Sequence, residues 1–206
     1  KATIITFHTP LTKEGKYPTY HLLGEEFLQQ CRKRPLILNA ARGAIADSDA
    51  LLRALNSEKI EAFYLDCWEG EPNIRLDVLT QAERATPHIA GFSADGKARG
   101  THMVVETALE HFGLDASLIP FDRISLPTPE SATIDLHSVS ALRPEWVLAH
   151  TMKGLSHIEQ ALRQTPEQFE SLRVHYDYPR EAPAYRLLGV LPEEKQRFHA
   201  LGYAIA

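Results

Sequence analysis

Cysteine is scarce here: two in 206 residues, Cys31 and Cys67, make no CxxC pair and no disulfide framework. Reduced thiols in a cytoplasmic protein are the simple reading. No His/Cys/carboxylate set shows ligand spacing along the chain, so no metal is expected. Apolar runs are short. None approaches the roughly 18 residues that span a bilayer, so no membrane partner is expected. An excess of basic charge is missing too: the net charge is -5, which gives no reason to expect nucleic acid. Internal repeats and low-complexity tracts are absent. What remains, 44% hydrophobic and 24% charged residues, is the balance of a globular protein long enough for one large domain or two small ones.

An initiator Met and a polar lead-in are also missing, since the chain opens on Lys1-Ala-Thr-Ile-Ile-Thr-Phe7. These residues read as a buried strand, and such a strand normally has neighbours encoded earlier. The expectation is the C-terminal part of a longer polypeptide.

Thr3 to Phe7 is the first strand, stopped at Pro10. Glu25 to Cys31 fits a short helix, and Leu36 to Leu38 a second strand that turns out through Asn39-Ala-Ala-Arg-Gly43. Asp47 or Ser48 can cap a helix over 49–56, with leucines at 51, 52 and 55 on one face. Glu61 to Leu65 returns as a strand, Leu76 to Leu79 as a short helix and Ala85 to His88 as the last strand of the series. A long helix from Asp95 to Phe112 closes at Gly113. Strands alternating with helices predict an α/β fold with a parallel sheet and crossover helices.

Near Ser117 the texture changes, with Pro120, Pro127 and Pro129 in a linker-like passage. Beyond it, Thr133 to Leu136 predicts a strand and Trp146 to Thr151 a helical turn. Thr165-Pro-Glu-Gln168 fits a capping box opening a helix to His175. Ala184 to Leu188, Glu193 to Leu201 and Tyr203 to Ala206 predict strand, helix and strand. The expected boundaries are 1–116 and 117–206, the second part being a smaller α+β unit that serves dimerisation.

In parallel sheets ligands bind beyond the carboxyl ends of the strands. Thr9, Arg42, Asp66 and His88 all fall there. The guanidinium of Arg42 can hold a carboxylate through two parallel hydrogen bonds. His88 is a candidate general acid or base, and Glu71 can fix its tautomer. The other histidines read as structural. Asp66 can meet a cofactor's ring amide or cap a loop, with neither preferred.

Three blocks carry a resemblance: Asn39-Ala-Ala-Arg42-Gly43, Asp66-Cys-Trp-Glu-Gly-Glu71-Pro72 and Thr86-Pro-His88-Ile-Ala-Gly91. In this order they are similar to the signature blocks of the NAD-dependent D-2-hydroxyacid dehydrogenases. Thr6-Phe-His-Thr9-Pro-Leu11 resembles the preceding block. The resemblance implies the second half of a Rossmann-type doubly wound sheet. In it Arg42 binds substrate carboxylate, Glu71 partners the histidine and His88 exchanges the proton. It also implies that Thr9, Ala40, Ala41, Arg42, Asp66 and Gly91 line the NAD pocket and that position 92 faces substrate. The family usually has tyrosine there, and this chain has Phe92. The implied substrate is a phosphorylated 2-hydroxy acid, D-glycerate or 3-phosphoglycerate being the alternatives, and the implied assembly a homodimer. A non-enzymatic NAD-sensing or assembly module is the reading from another class. The Gly-rich phosphate loop, the acid for the adenosine ribose and the N-terminal substrate domain are expected upstream of Lys1, so this chain alone is expected to be inactive.

Overall fold

The computed structural model describes residues 2–137 and 154–206; the helical turn expected at Trp146–Thr151 lies outside them. The chain forms two compact units. The first takes in Lys1–Ala90 and Leu155–Tyr176, the second Gly91–Gly154 and Asp177–Ala206.

In the first unit, β1 (Ile4–Phe7), β2 (Leu36–Asn39), β3 (Ala62–Leu65) and β4 (Arg84–Ala85) form one parallel sheet in the order β1-β2-β3-β4. Helices α1 (Glu25–Gln29), α2 (Ser48–Asn56) and α3 (Leu76–Gln81) are the crossovers. Alternation along β2 and β3 sends Ile37, Asn39, Phe63 and Leu65 inward. Ile37, Phe63 and Leu65 meet Leu28, Leu51, Trp68 and Leu79 in one core. The first strand is less buried than its composition suggests. It lies at the edge of this sheet, with no described strand on its outer side, and Ile4 is 58% exposed. At α2 the cap is Asp47, whose Oδ1 accepts from the N–H of Asp49 and Ala50 at 2.9 and 3.0 Å.

Two further helices complete this unit, α5 (Leu155–Gln164) and α6 (Phe169–Val174). Sequence reading missed α5, although Ile158 and Leu162 stand at i, i+4 spacing and both are buried. Its Arg163 donates from Nη1 to the Leu79 carbonyl and from Nη2 to the Ala82 carbonyl, each at 2.7 Å. Arg163 thereby caps the C-terminus of α3 from a distance of some eighty residues. The predicted capping box at Thr165 does not form. Thr165 Oγ1 donates instead to the Ala161 carbonyl of the preceding helix, and Pro166–Gln168 is a 3-10 turn leading into α6.

In the second unit α4 (Ala94–His111) is capped by Ser93, whose Oγ accepts from Gly96 N at 2.9 Å, and it ends before Gly113 at φ +68°. A second parallel sheet joins β5 (Thr133–Asp135), β6 (Arg186–Leu188) and β7 (Ala204–Ile205). Helix α7 (Lys195–Ala200) covers it through Phe198, which packs with Ile134, Leu136, Tyr185 and Leu187. Arg180 binds the buried Asp95 at the start of α4 by two contacts, 2.9 and 3.1 Å.

Candidate functional site

The carboxyl edge of the first sheet gathers the site. Strand β4 is shorter than expected, because Thr86 to His88 already belong to a turn. That turn is shaped by Asp66, the residue after β3, whose side chain is buried. Its Oδ1 accepts from Thr86 Oγ1 at 2.7 Å, Ile89 N at 2.8 Å and Ala90 N at 3.1 Å. Its Oδ2 takes a second contact from Ala90 N at 3.1 Å. Asp66 therefore caps a loop, the second of the two roles open to it, while Oδ2 keeps capacity for another donor.

Held this way, His88 adopts φ +54°, a left-handed conformation that a non-glycine residue adopts only when its surroundings enforce it. The His88–Ile89 peptide is gripped at both ends. Ile89 N donates to Asp66, and the His88 carbonyl accepts from Arg173 Nε on α6 at 3.3 Å. No local pattern could have revealed this contact, because its partners are 85 positions apart.

The conformation turns the imidazole toward Glu71, with His88 Nδ1 and Glu71 Oε2 2.9 Å apart. Both side chains are about one-fifth exposed, so solvent and ligand can reach the pair. Glu71 is itself oriented, because its Oε1 accepts from the Trp68 N–H at 2.6 Å. An ionised carboxylate can only accept, so Nδ1 carries the shared proton and Nε2 is left as an acceptor. That is the arrangement of an oriented general base.

Arg42 comes from the β2 side and is exposed. The buried Asn39 fixes the turn that presents it, donating from Nδ2 to the Arg42 carbonyl at 2.9 Å and accepting from Ala41 N at 3.2 Å. The turn lies hard against the Trp68–Glu69 backbone. A Cβ on Gly43 would fall 1.8 Å from the Trp68 carbonyl oxygen, so no other residue fits without displacing that loop. From the far side, Glu69 accepts from Ser48 N at 3.1 Å and pairs with His21. Burial raises the Glu69 carboxyl, but these two partners outweigh it and leave it below the ordinary carboxylate range.

Thr9 follows β1, and its Oγ1 is buried with no hydrogen-bond partner among the described residues. An orphaned hydroxyl at the carboxyl edge of a parallel sheet suits a polar ligand such as a dinucleotide. Ala40 and Ala41 add a small-residue wall, Ala41 buried. The residues present here thus fit NAD. Gly91 (φ +79°) and Phe92 belong to the second unit, where the Phe92 ring meets Tyr178 edge-to-face at 5.5 Å. Lys97 rests its ammonium over both rings, 4.1 Å from the Phe92 centroid. Arg180, also in the second unit, is engaged by Asp95.

The fold brings together a donor set that spacing along the chain does not show. One donor atom each from Cys67, Glu71 and His88 lie within 4.8 Å of one another. Linear spacing hid this set because His88 arrives from the next strand.

Comparison with known proteins bears on the same residues. Residues 1–90 match the family model "D-isomer specific 2-hydroxyacid dehydrogenase, NAD binding domain". The chain is 45% identical over 201 residues to an erythronate-4-phosphate dehydrogenase of Porphyromonas gingivalis, covering 97% of this chain and 54% of that protein. It is 40% identical to the corresponding protein of Bacteroides thetaiotaomicron, covering 91% of this chain and 51% of that protein. For that of Escherichia coli O157:H7 the identity is 38%, covering 88% and 48%. The chain spans about half the length of the curated relatives it matches.

Proposed function

We propose that the protein is an NAD-dependent oxidoreductase acting on a 2-hydroxy acid, because residues 1–90 match the NAD-binding domain of the D-isomer specific 2-hydroxyacid dehydrogenases. Its substrate is 4-phospho-D-erythronate and its product (R)-3-hydroxy-2-oxo-4-phosphooxybutanoate, a step of pyridoxine 5'-phosphate (vitamin B6) biosynthesis in the cytoplasm. The printed names of the relatives support the substrate, and the Glu71–His88 pair carries the chemistry.

Arg42 receives the substrate carboxylate in its guanidinium fork and polarises the C2 oxygen as carbonyl character grows. The His88 Nε2 lone pair removes the C2 hydroxyl proton. The charge that then develops on the ring is balanced by Glu71, which holds Nδ1–H. The chemistry that NAD supplies when bound is acceptance of the hydride from C2. Thr9, Ala40, Ala41, Asp66 and Gly91 form the chain's share of the NAD pocket, and Phe92 faces substrate without the hydroxyl that a tyrosine would offer. The protein works as a homodimer joined through residues 117–206, a reading supported by the exposed Leu118, Ile119, Leu191 and Leu201.

The test is His88→Ala in the full-length protein. Turnover falls at least about a hundredfold while NAD binding, followed by fluorescence titration, is kept. Near-normal turnover in that variant removes His88 from the mechanism.

A further inference from the structure

Cys67 has no part in the chemistry above, yet it is buried one residue past the loop-capping Asp66, with its Sγ 3.8 Å from Asp66 Oδ2 and within 4.8 Å of donor atoms of Glu71 and His88. Thiol, carboxylate and imidazole are the donor types that zinc takes from proteins. Here all three come within 4.8 Å of one another. Donors around one tetrahedral zinc stand roughly 3.3–3.6 Å apart, given bond lengths of about 2.0–2.3 Å. The 2.9 Å between His88 Nδ1 and Glu71 Oε2 must therefore open slightly, and Sγ must close on them by no more than about 1.5 Å. Side-chain torsions absorb movements of that size.

Charge favours the same ligand. Burial, and after it the carboxylates of Asp66 and Glu71, push the Cys67 thiol well above its ordinary value against the Arg42 guanidinium, so the thiolate needs a cation beside it. Two negative charges and one positive leave this neighbourhood at minus one, and ionising the thiol takes it to minus two. A dication cancels that. Sulfur and imidazole donors select zinc, cobalt or cadmium over magnesium or calcium.

We propose that Cys67, Glu71 and His88 form a site for a thiophilic divalent cation of the zinc class, and that its occupation switches the enzyme off. The thiol proton leaves to solvent, a coordinating metal deprotonating the sulfur outright. The ring proton of His88 moves from Nδ1 to Nε2 as Nδ1 turns its lone pair to the ion. With Nε2 protonated, His88 has nothing left to receive the substrate's hydroxyl proton. Glu71, bound to the ion, no longer steadies a developing imidazolium. Water completes the coordination from the solvent-facing side of the pair.

The inhibitory half of this proposal rests on His88 being the base; the binding half does not. The test uses the full-length, metal-free protein titrated with cobalt(II), whose thiolate charge-transfer absorption reports sulfur coordination. One equivalent should saturate the band, and Cys67→Ser and Cys67→Val should each abolish it. Zinc should displace the cobalt and suppress NADH formation, with chelator restoring it. In Cys67→Ser, with basal turnover retained, the zinc concentration needed for inhibition should rise by at least about tenfold. A missing band, or a band that survives both substitutions, overturns the site. A cysteine-dependent band without inhibition overturns the switch. Should His88→Ala retain turnover while the band still depends on Cys67, it is the catalytic reading that fails.

Discussion

Gly43→Ala is the smallest change that should disable the site, and the reason is steric. The added Cβ would stand 1.8 Å from the Trp68 carbonyl oxygen, 2.1 Å from its carbon and 2.7 Å from Glu69 N. All three are backbone atoms, so no side chain can swing away. An ordinary contact between non-bonded carbon and oxygen needs about 3.3 Å, so one segment must retreat by roughly 1.5 Å. The two segments carry different parts of the chemistry. On one, Arg42 is the neighbour of Gly43; on the other, the Trp68 N–H orients Glu71, which holds His88. Overpacking of this kind costs about 1–3 kcal/mol. A displacement of about an ångström between positioning groups lowers turnover by about a hundredfold. The assay is kcat/KM of the full-length variant beside its urea denaturation curve. Turnover and stability both near those of the unsubstituted protein would refute the close approach.

Other substitutions probe single contacts. In Glu71→Gln the amide oxygen can serve the Trp68 N–H only if the NH2 faces His88 Nδ1, which reverses that bond and leaves the ring proton on Nε2. Steady-state kinetics should show kcat reduced by roughly two orders of magnitude. Arg163→Ala strands the Leu79 and Ala82 carbonyls and the half of Glu159 it binds at 2.8 Å, so denaturant unfolding should register a loss of about 2–4 kcal/mol. Burial raises the Asp95 carboxyl, but the Arg180 guanidinium and the Glu181 N–H outweigh it and hold it below the usual carboxylate range. Its stabilisation is therefore complete above the ordinary carboxylate value and is lost as pH falls through the lowered one. Thermal unfolding across the acid range should be less pH-sensitive in Asp95→Asn than in the parent.

The residues at strand ends were legible because short apolar runs between turns mark buried strands and the chain must turn after them. Arg42, Asp66 and His88 follow from that rule alone. What gave Asp66 its task was not legible. Its carboxylate meets N–H groups 23 and 24 residues onward, and no local pattern reports a bond of that span. The same holds for Arg173 and Arg163, whose carbonyl partners lie 85 and 84 positions away. Helix α5 was missed for another reason. Two buried aliphatic residues, Ile158 and Leu162, make a short stripe in a polar segment, and Arg163 and Glu159 add bonds to the Leu79 and Ala82 carbonyls and to Arg84. Thr165 shows the converse failure. Its sequence satisfies the capping pattern, but the Ala161 carbonyl at the end of α5 takes its hydroxyl first.

The proposed function is that of a dehydrogenase for 4-phospho-D-erythronate, with His88 as base and Arg42 as carboxylate clamp. It is tested most directly by NADH formation from the full-length protein given NAD and, in parallel, 4-phospho-D-erythronate, D-glycerate and 3-phosphoglycerate. The account predicts that the phosphorylated four-carbon acid is oxidised with the highest kcat/KM. Preferred oxidation of either glycerate, or no NADH from any of the three, would contradict it.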